Sequence, residues 1–558
     1  MAGPRWWMAL AAAGMACGSA SHKATGPQSS APASAASMEA LANGAVLFTD
    51  LGTHHRAITT RSPEAQSYFD QGLRLVYGFN HDEAARSFAR AARSDPSCAM
   101  CFWGAALVLG PNYNVPMLPD RAASAWEGLT KAQALAPWAS PVEKALIGAL
   151  AKRYPGPEPK DPIAMQPYNE AYAKAMREVA RAYPDDLDVQ VLFAEAMMDT
   201  NPWKLWSLDG KPAAGTEEIV ATLEKVLERD PQHPGANHYY IHAVEASGQP
   251  DKAVPSADRL AGLMPGAGHI VHMPAHIYQR VGRYADAAES NRRAVKVDEV
   301  YMEKAKPFGY YPMYLAHNNG FLAFAASMQG RAAESMAAAR ASAKSIPPGM
   351  IDMMPGMDFF VTEPLLVMVR FGKYDELLAE PRPDPKYQVF TGLWLHAHGL
   401  ALAAKGKLAD AKAELAELTA LAAAVGPDVI AGNNTARDVL ALAAKILEAA
   451  VAGKDKRALA LWAKAVELAD GLAYSEPNDW FYPVRHYYGQ ALLDAKQAKQ
   501  AEAVYREDLR RNPGNGWALY GLARALRAQK READAADMDK QFQKAWAEAD
   551  VKLTATRF

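Results

Sequence analysis

Cysteine is nearly missing from this 558-residue chain, which has only Cys17, Cys98 and Cys101. Two cysteines after position 17 cannot staple so long a chain, so the fold must stand on its packing. Alternating runs of β-branched residues are scarce and alanine is abundant, which favours helix over sheet. Beyond the N-terminal segment no stretch is apolar enough to cross a bilayer. An excess of one charge is missing too: 60 Lys and Arg oppose 62 Asp and Glu, and no basic stripe carries interleaved aromatics. Nucleic acid therefore has no electrostatic footprint here. Phosphate-binding glycine loops, a nucleophile elbow and a kinase-like set are likewise absent. The chain is too long for one compact core, so several domains or an elongated array is expected.

The N-terminus reads as an export signal. Arg5 precedes the apolar run "WWMALAAAGMA", then Cys17 and a stretch rich in Ser, Ala, Gly and Pro. Such a run is too short for a transmembrane helix and fits a secretory signal. The stretch "AGMAC" resembles a bacterial lipobox, although Gly14 stands where Leu or Val is usual. The resemblance implies a signal peptide at 1–17, lipidation at Cys17 and a flexible linker over 18–45. The protein is then expected to be exported, periplasmic or outer-surface, and attached to a membrane only through that lipid. Plain secretion is the alternative.

After the linker the chain repeats. From Tyr68 it reads "YFDQGLRLVYGFNHDEAARSFARAARSDP". Tyr68, Gln71, Gly72, Leu75, Ala84, Phe88 and Pro96 fall on the pattern W-x2-L-G-x2-Y…A-x3-F…P, whose period is 34. The same frame pairs Ala253 with Ala287, Leu377 with Ala411, and Ala501 with Ala535, each 34 residues apart. This part of the chain resembles the tetratricopeptide repeat (TPR) superfamily over much of 65–550. The expected fold is all-α, a TPR-like helical-hairpin solenoid with irregular insertions. Small Gly72 and Ala84 let antiparallel helices approach, and Pro96 stops the second helix. An N-terminal block spans 46–345, an irregular joint rich in Pro spans 346–390, and a C-terminal block spans 391–558. Residues 110–165 and 199–216 read as loops or insertions.

Five of the 14 histidines crowd two short stretches, "NHYYIHAVEASGQ" and "GHIVHMPAHIYQR". His238 and His272 are 34 residues apart, as are His242 and His276, so the pairs occupy equivalent positions in consecutive repeats. In TPR proteins the first helix of each repeat lines a concave groove, and the resemblance places these residues there, with His269, His317 and Glu245. Residues four apart share one helical face, so pairs on adjacent helices can converge. His396 and His486 are expected at groove positions too. Paired imidazoles suit a divalent transition metal, Zn or Cu, and a metal site of His238, His242, His269, His272, His276 and His317 is expected. Glu245 would serve as a carboxylate ligand or as the base for a metal-bound water. "HYYIH" is not HExxH, so zincin chemistry has no direct support. Pro274 must start or kink the helix between His272 and His276; if it starts one, His269 falls on a loop.

The Cys98/Cys101 spacing suits a redox pair or two soft metal ligands, or else two small buried thiols at a hairpin junction. Asn112, Asn114, Asp199, Asn201 and Trp203 read as pocket rims or loop terminators. Whether the protein is an enzyme is left open by these patterns. The rival to a metal site is a metal-free TPR scaffold that binds a peptide or protein in its groove at the cell envelope.

Overall fold

The computed structural model describes residues 37–558 except 308, 353, 354 and 454. Cys17 and the signal segment lie outside the described residues. Helical hairpins dominate, and the one β-hairpin among the described residues pairs Ile430–Ala431 with Asn434–Thr435, antiparallel. No described helix is long and apolar enough to cross a membrane. The chain divides into two compact units, an N-terminal one of residues 37–274 with 296–311, and a C-terminal one of 275–295 with 312–558. Residues 346–390, read above as a joint, lie inside the C-terminal unit and form short helices such as Glu363–Arg370 and Tyr374–Ala379.

In the N-terminal unit, Pro63–Tyr77 packs on His81–Ser94, which packs in turn on Ala99–Val108. The Phe88 ring explains the spacing. A methyl group at Gly72 would lie 2.7 Å from that ring, and one at Gly104 would lie 2.5 Å from it. The C-terminal unit repeats the device with Tyr505, whose ring would meet a methyl group on Gly489 at 2.5 Å and one on Gly521 at 2.3 Å. One aromatic ring seated between two glycines is thus the local reason that successive hairpins stack. The residues aligned by the 34-residue period, Ala253, Ala287, Leu377, Ala411, Ala501 and Ala535, are all buried.

Gly104→Ala should therefore destabilise the N-terminal unit by about 1–3 kcal/mol, because overpacking outweighs the roughly 1 kcal/mol that alanine gains in a helix. Gly148, in the Pro141–Leu150 helix, has nothing within 4 Å of an added methyl. Gly148→Ala should stabilise. Urea unfolding of both variants reads the opposite signs, and a shared sign would refute this account of the packing.

The turns inside the hairpins share a second device. The residue immediately after each left-handed turn position donates its N–H to a carbonyl five residues back, as in Arg283 to Tyr278, Arg331 to Ala326 and Lys407 to Leu402. Gly282, Gly330, Gly372 and Gly406 hold positive φ at these positions, as the Schellman motif requires. Phe79 takes the same position in the first hairpin, with φ of 51° and Asn80 N–H donating to the Leu75 carbonyl. A bulky side chain in the left-handed region costs about 1–2 kcal/mol, so something must hold Phe79 there.

Residues before the first hairpin are ordered by side chains. The end of the expected flexible linker, Met38–Asn43, is a helix whose Leu41 and Ala42 are buried and which packs on His81–Ser94. Residues 46–61 follow as an extended strap. Gln71 accepts from Phe48 N–H at 2.8 Å and donates to the Val46 carbonyl at 2.8 Å. Gln66 donates to the Arg56 carbonyl, and Glu143 accepts from Thr59 N–H and its hydroxyl. A strap with no neighbouring strand must satisfy its backbone groups in this way.

Candidate metal centre

The Pro234–Val244 helix carries His238 and His242 one turn apart, and the short Gly268–His272 helix carries His269. All three are buried, with no more than 2% of any of them exposed. The ring of His238 lies 5.0 Å from that of His242 and 5.0 Å from that of His269. One potential ligand nitrogen from each lies within 4.8 Å of the other two. Zn–N bonds are about 2.0–2.1 Å, so the three nitrogens could close on one ion by moving at most about 0.7 Å each.

Two hydrogen bonds orient this set. His238 Nδ1 lies 2.6 Å from the Tyr77 carbonyl, which can only accept, so that nitrogen carries the proton. His242 Nδ1 lies 2.9 Å from Glu245 Oε1. In both neutral rings the lone pair is then on Nε2, the arrangement in which a metal-binding histidine is held by an acceptor behind it. Glu245 thus stands behind His242 as an orienting carboxylate.

Aromatic rings close the surroundings. Phe79 lies 4.6 Å from His238, 5.8 Å from His242 and 5.8 Å from His269, ring to ring. This packing accounts for an aromatic residue in a glycine's position. Tyr113 and Trp203 stack at 5.6 Å, and their rings lie 5.1 and 6.1 Å from His242. They come from the two irregular stretches near 110–117 and 199–216, and Trp206 of the latter donates to the Ala243 carbonyl at 2.7 Å. The insertions cover the histidines. The expectation of a groove-lining surface is corrected accordingly: these imidazoles sit in the interior of the unit.

A second group, His54, Asp188 and His233, also brings potential ligand atoms together. Its hydrogen bonds give it a different task. His233 Nδ1 accepts from Ala236 N–H at 3.2 Å, capping the helix that bears His238 and His242. Its proton is therefore on Nε2, which faces Asp188 Oδ1 at 3.2 Å and has no lone pair for a metal. Asp188 also accepts from His54 at 2.8 Å, Tyr77 hydroxyl at 2.5 Å and Arg56 at 3.2 Å. Burial alone would raise the Asp188 carboxyl, yet hydrogen bonds from His233 and His54 hold it well below the usual carboxylate range. The network fixes Tyr77, whose carbonyl holds His238.

The other expected histidines divide between the units. His272 is buried at the end of its helix, its ring 5.9 Å from that of His269. The next helix, Pro274–Arg280, begins at the proline. His269 nevertheless lies on a helical turn of its own and not on a loop, because residues 268–272 close their own hydrogen bonds ahead of it. In the C-terminal unit, His276 Nδ1 meets Glu476 at 2.9 Å, and its ring lies 5.9 Å from His317. Phe321 packs on both, at 4.8 and 5.3 Å. His396 and His486, expected on the groove, are core residues with both nitrogens engaged. His396 bonds the Ala443 carbonyl and Tyr482, and burial pushes it down to about 4. His486 bridges Arg370 and Asp508. Cys98 and Cys101 are buried and bonded to each other at the start of the Ala99–Val108 helix.

Sequence reasoning missed Tyr77, Phe79 and Tyr113. Only Phe79 left a signal, standing five residues before Ala84 as Gly282 stands five before Ala287 and Gly406 five before Ala411.

Stacked hairpins, ring-between-glycine contacts and Schellman turns define an all-α, TPR-like repeat protein, with a buried histidine cluster in its N-terminal unit. Among solved structures the chain is similar to human IFIT1, as a dimer with m7Gppp-AAAA, at 12% identity and a TM-score of 0.32, over 88% of this chain and 92% of that one. It is also similar to the TPR domain of P58(IPK), at 13% identity and a TM-score of 0.22, over 84% of this chain and 98% of that one. At this distance neither neighbour extends a ligand or partner to the present protein. No family model and no curated protein matches the chain.

Proposed function

We propose that this protein is an exported TPR-like scaffold, lipid-anchored at Cys17, whose N-terminal unit holds one divalent transition metal, Zn or Cu. His238, His242 and His269 are the ligands. The observation that carries this reading is the pair of acceptors, the Tyr77 carbonyl and Glu245, that place protons on Nδ1 of His238 and His242. Both rings also pack beside that of His269, at 5.0 and 6.2 Å between centroids. An all-nitrogen set suits either metal and does not choose between them. Support for export and the anchor comes from the "AGMAC" segment, and the mass of the mature N-terminus tests it.

Metal analysis of untagged protein, stripped and reloaded with Zn or Cu, should give one ion per chain, and His238→Ala should lose it. If wild type and variant both come out metal-free after reloading, the metal-free scaffold that binds a peptide or protein takes its place.

A further inference from the structure

We infer that one face of the Pro63–Tyr77 helix is a receptor site for an extended peptide bearing an arginine. Residues 54–60 of the strap fill that site in cis, and a partner segment of the same chemistry competes with them. Gln66, Asp70 and Arg74 stand four residues apart, so they share that face and rise about 6 Å from one to the next. An extended chain advances about 6.6 Å in two residues. The two spacings nearly match, and the three side chains take hold of the strap's main chain at every second residue. Arg74 Nε donates to the His54 carbonyl at 2.7 Å. Asp70 accepts from Arg56 N–H at 3.2 Å. Gln66 donates to the Arg56 carbonyl at 2.9 Å and accepts from Ile58 N–H at 3.2 Å. Its amide also donates to Asp70 Oδ1 at 2.9 Å, which fixes its orientation.

Main-chain contacts of this kind hold any extended segment, and pockets for its side chains supply the choice. The pocket here is acidic. Arg56 enters it with only 9% of its side chain exposed, donates to the two Asp186 oxygens at 2.7 and 2.9 Å, and reaches Asp188 at 3.2 Å. Two-pronged pairing with a carboxylate selects arginine over lysine. Further along, Glu143 accepts from Thr59, and Asp95 accepts from the Thr60 hydroxyl at 2.5 Å. Thr53, His55, Ala57 and Thr59 are exposed, whereas His54, Arg56, Ile58 and Thr60 are half-buried, so the strap lies with one side down as a bound peptide does. Joined to the face it covers, the strap acts at an effective concentration on the order of mM, so a free peptide meets a nearly closed site. None of these residues is a metal ligand proposed above, so the two readings stand or fall separately.

The probe is a fluorescent peptide of residues 52–62, "GTHHRAITTRS", whose anisotropy is read against full-length protein. Arg56→Ala combined with Thr59→Ala loosens the strap and leaves the receptor face intact. This variant should bind the peptide saturably and about 100-fold more tightly than wild type, whose own strap competes. Replacing the arginine of the peptide by alanine should weaken its binding to the loosened chain by about tenfold. A loosened chain that ignores the peptide, or takes both peptides equally, overturns the receptor site. Equal affinity in wild type and loosened chain overturns its occupation by the strap. Circular dichroism establishes folding, and hydrogen exchange of wild type carries the test if the variant does not fold. Excess peptide should speed exchange at the Arg56 and Ile58 amides, because a peptide seated on the face keeps the strap out. Unchanged rates overturn the competition.

Discussion

Asp188→Asn should lower the stability of the N-terminal unit by about 3–5 kcal/mol at pH 7, the cost of removing one member of a buried ionic network. The carboxylate accepts from Tyr77, His54 and Arg56 and faces His233, and it is itself buried. An amide in its place turns one hydrogen-bonding arm into a donor facing donors, and leaves Arg56 with Asp186 as its remaining acidic partner. The pH dependence follows from the depressed carboxyl. Such a group contributes stability that is fully present above its unfolded pKa of about 3.9 and is lost as pH falls toward the folded value. Wild type should therefore lose this contribution below about pH 4, and the variant should not. Urea midpoints should differ widely at pH 7 and draw together in acid. Coincident midpoints at pH 7 would show that the network is incidental.

The same substitution should reach the histidines. Asp188 restrains Tyr77, whose carbonyl orients His238, and it faces His233, whose other nitrogen caps the helix of His238 and His242. The group that resembles a second candidate metal site thus supports the first candidate. Gly235 lets this support close up, since a methyl group there would lie 2.4 Å from the Tyr77 ring.

Much of the architecture was legible because it is periodic. The 34-residue frame located the small residues at helix crossings, and each proved buried. It also singled out His238, His242 and His269, because repeats convert sequence spacing into spatial equivalence. It failed where the chain leaves the period. Pro274 starts a new helix between His272 and His276, and His276 also meets Glu476 at 2.9 Å. Tyr113 and Trp203 arrive from irregular insertions, whose course no periodicity predicts. The Tyr77 carbonyl is a backbone atom and leaves no residue signature at all. Burial also escaped the repeat frame, because the insertions and the strap that cover the histidines are not part of any repeat. Phe79 was the readable exception: an aromatic residue in a glycine position of the frame marks a place where the local rule yields to another demand.

Glu245→Gln should weaken metal binding by about 10- to 100-fold, the usual consequence of losing the partner behind a metal-bound imidazole. The amide oxygen can still accept from His242 Nδ1 but brings no charge, so Nε2 becomes a poorer donor while the ring keeps its place. His242→Ala removes a ligand outright and should cost more. Chelator competition ranks wild type, Glu245→Gln and His242→Ala in that order. Metal also stabilises the folded state in proportion to RT ln(1 + [L]/Kd), so the metal-induced shift in unfolding midpoint should shrink in the same order. That shift is measured against each variant's own metal-free form, so any change in the apo protein drops out. The readout thereby separates a group that tunes the centre from one that only packs beneath it. A purely structural Glu245 would alter the apo midpoint and leave the shift untouched, whereas an orienting carboxylate moves the shift through the 2.9 Å contact with His242.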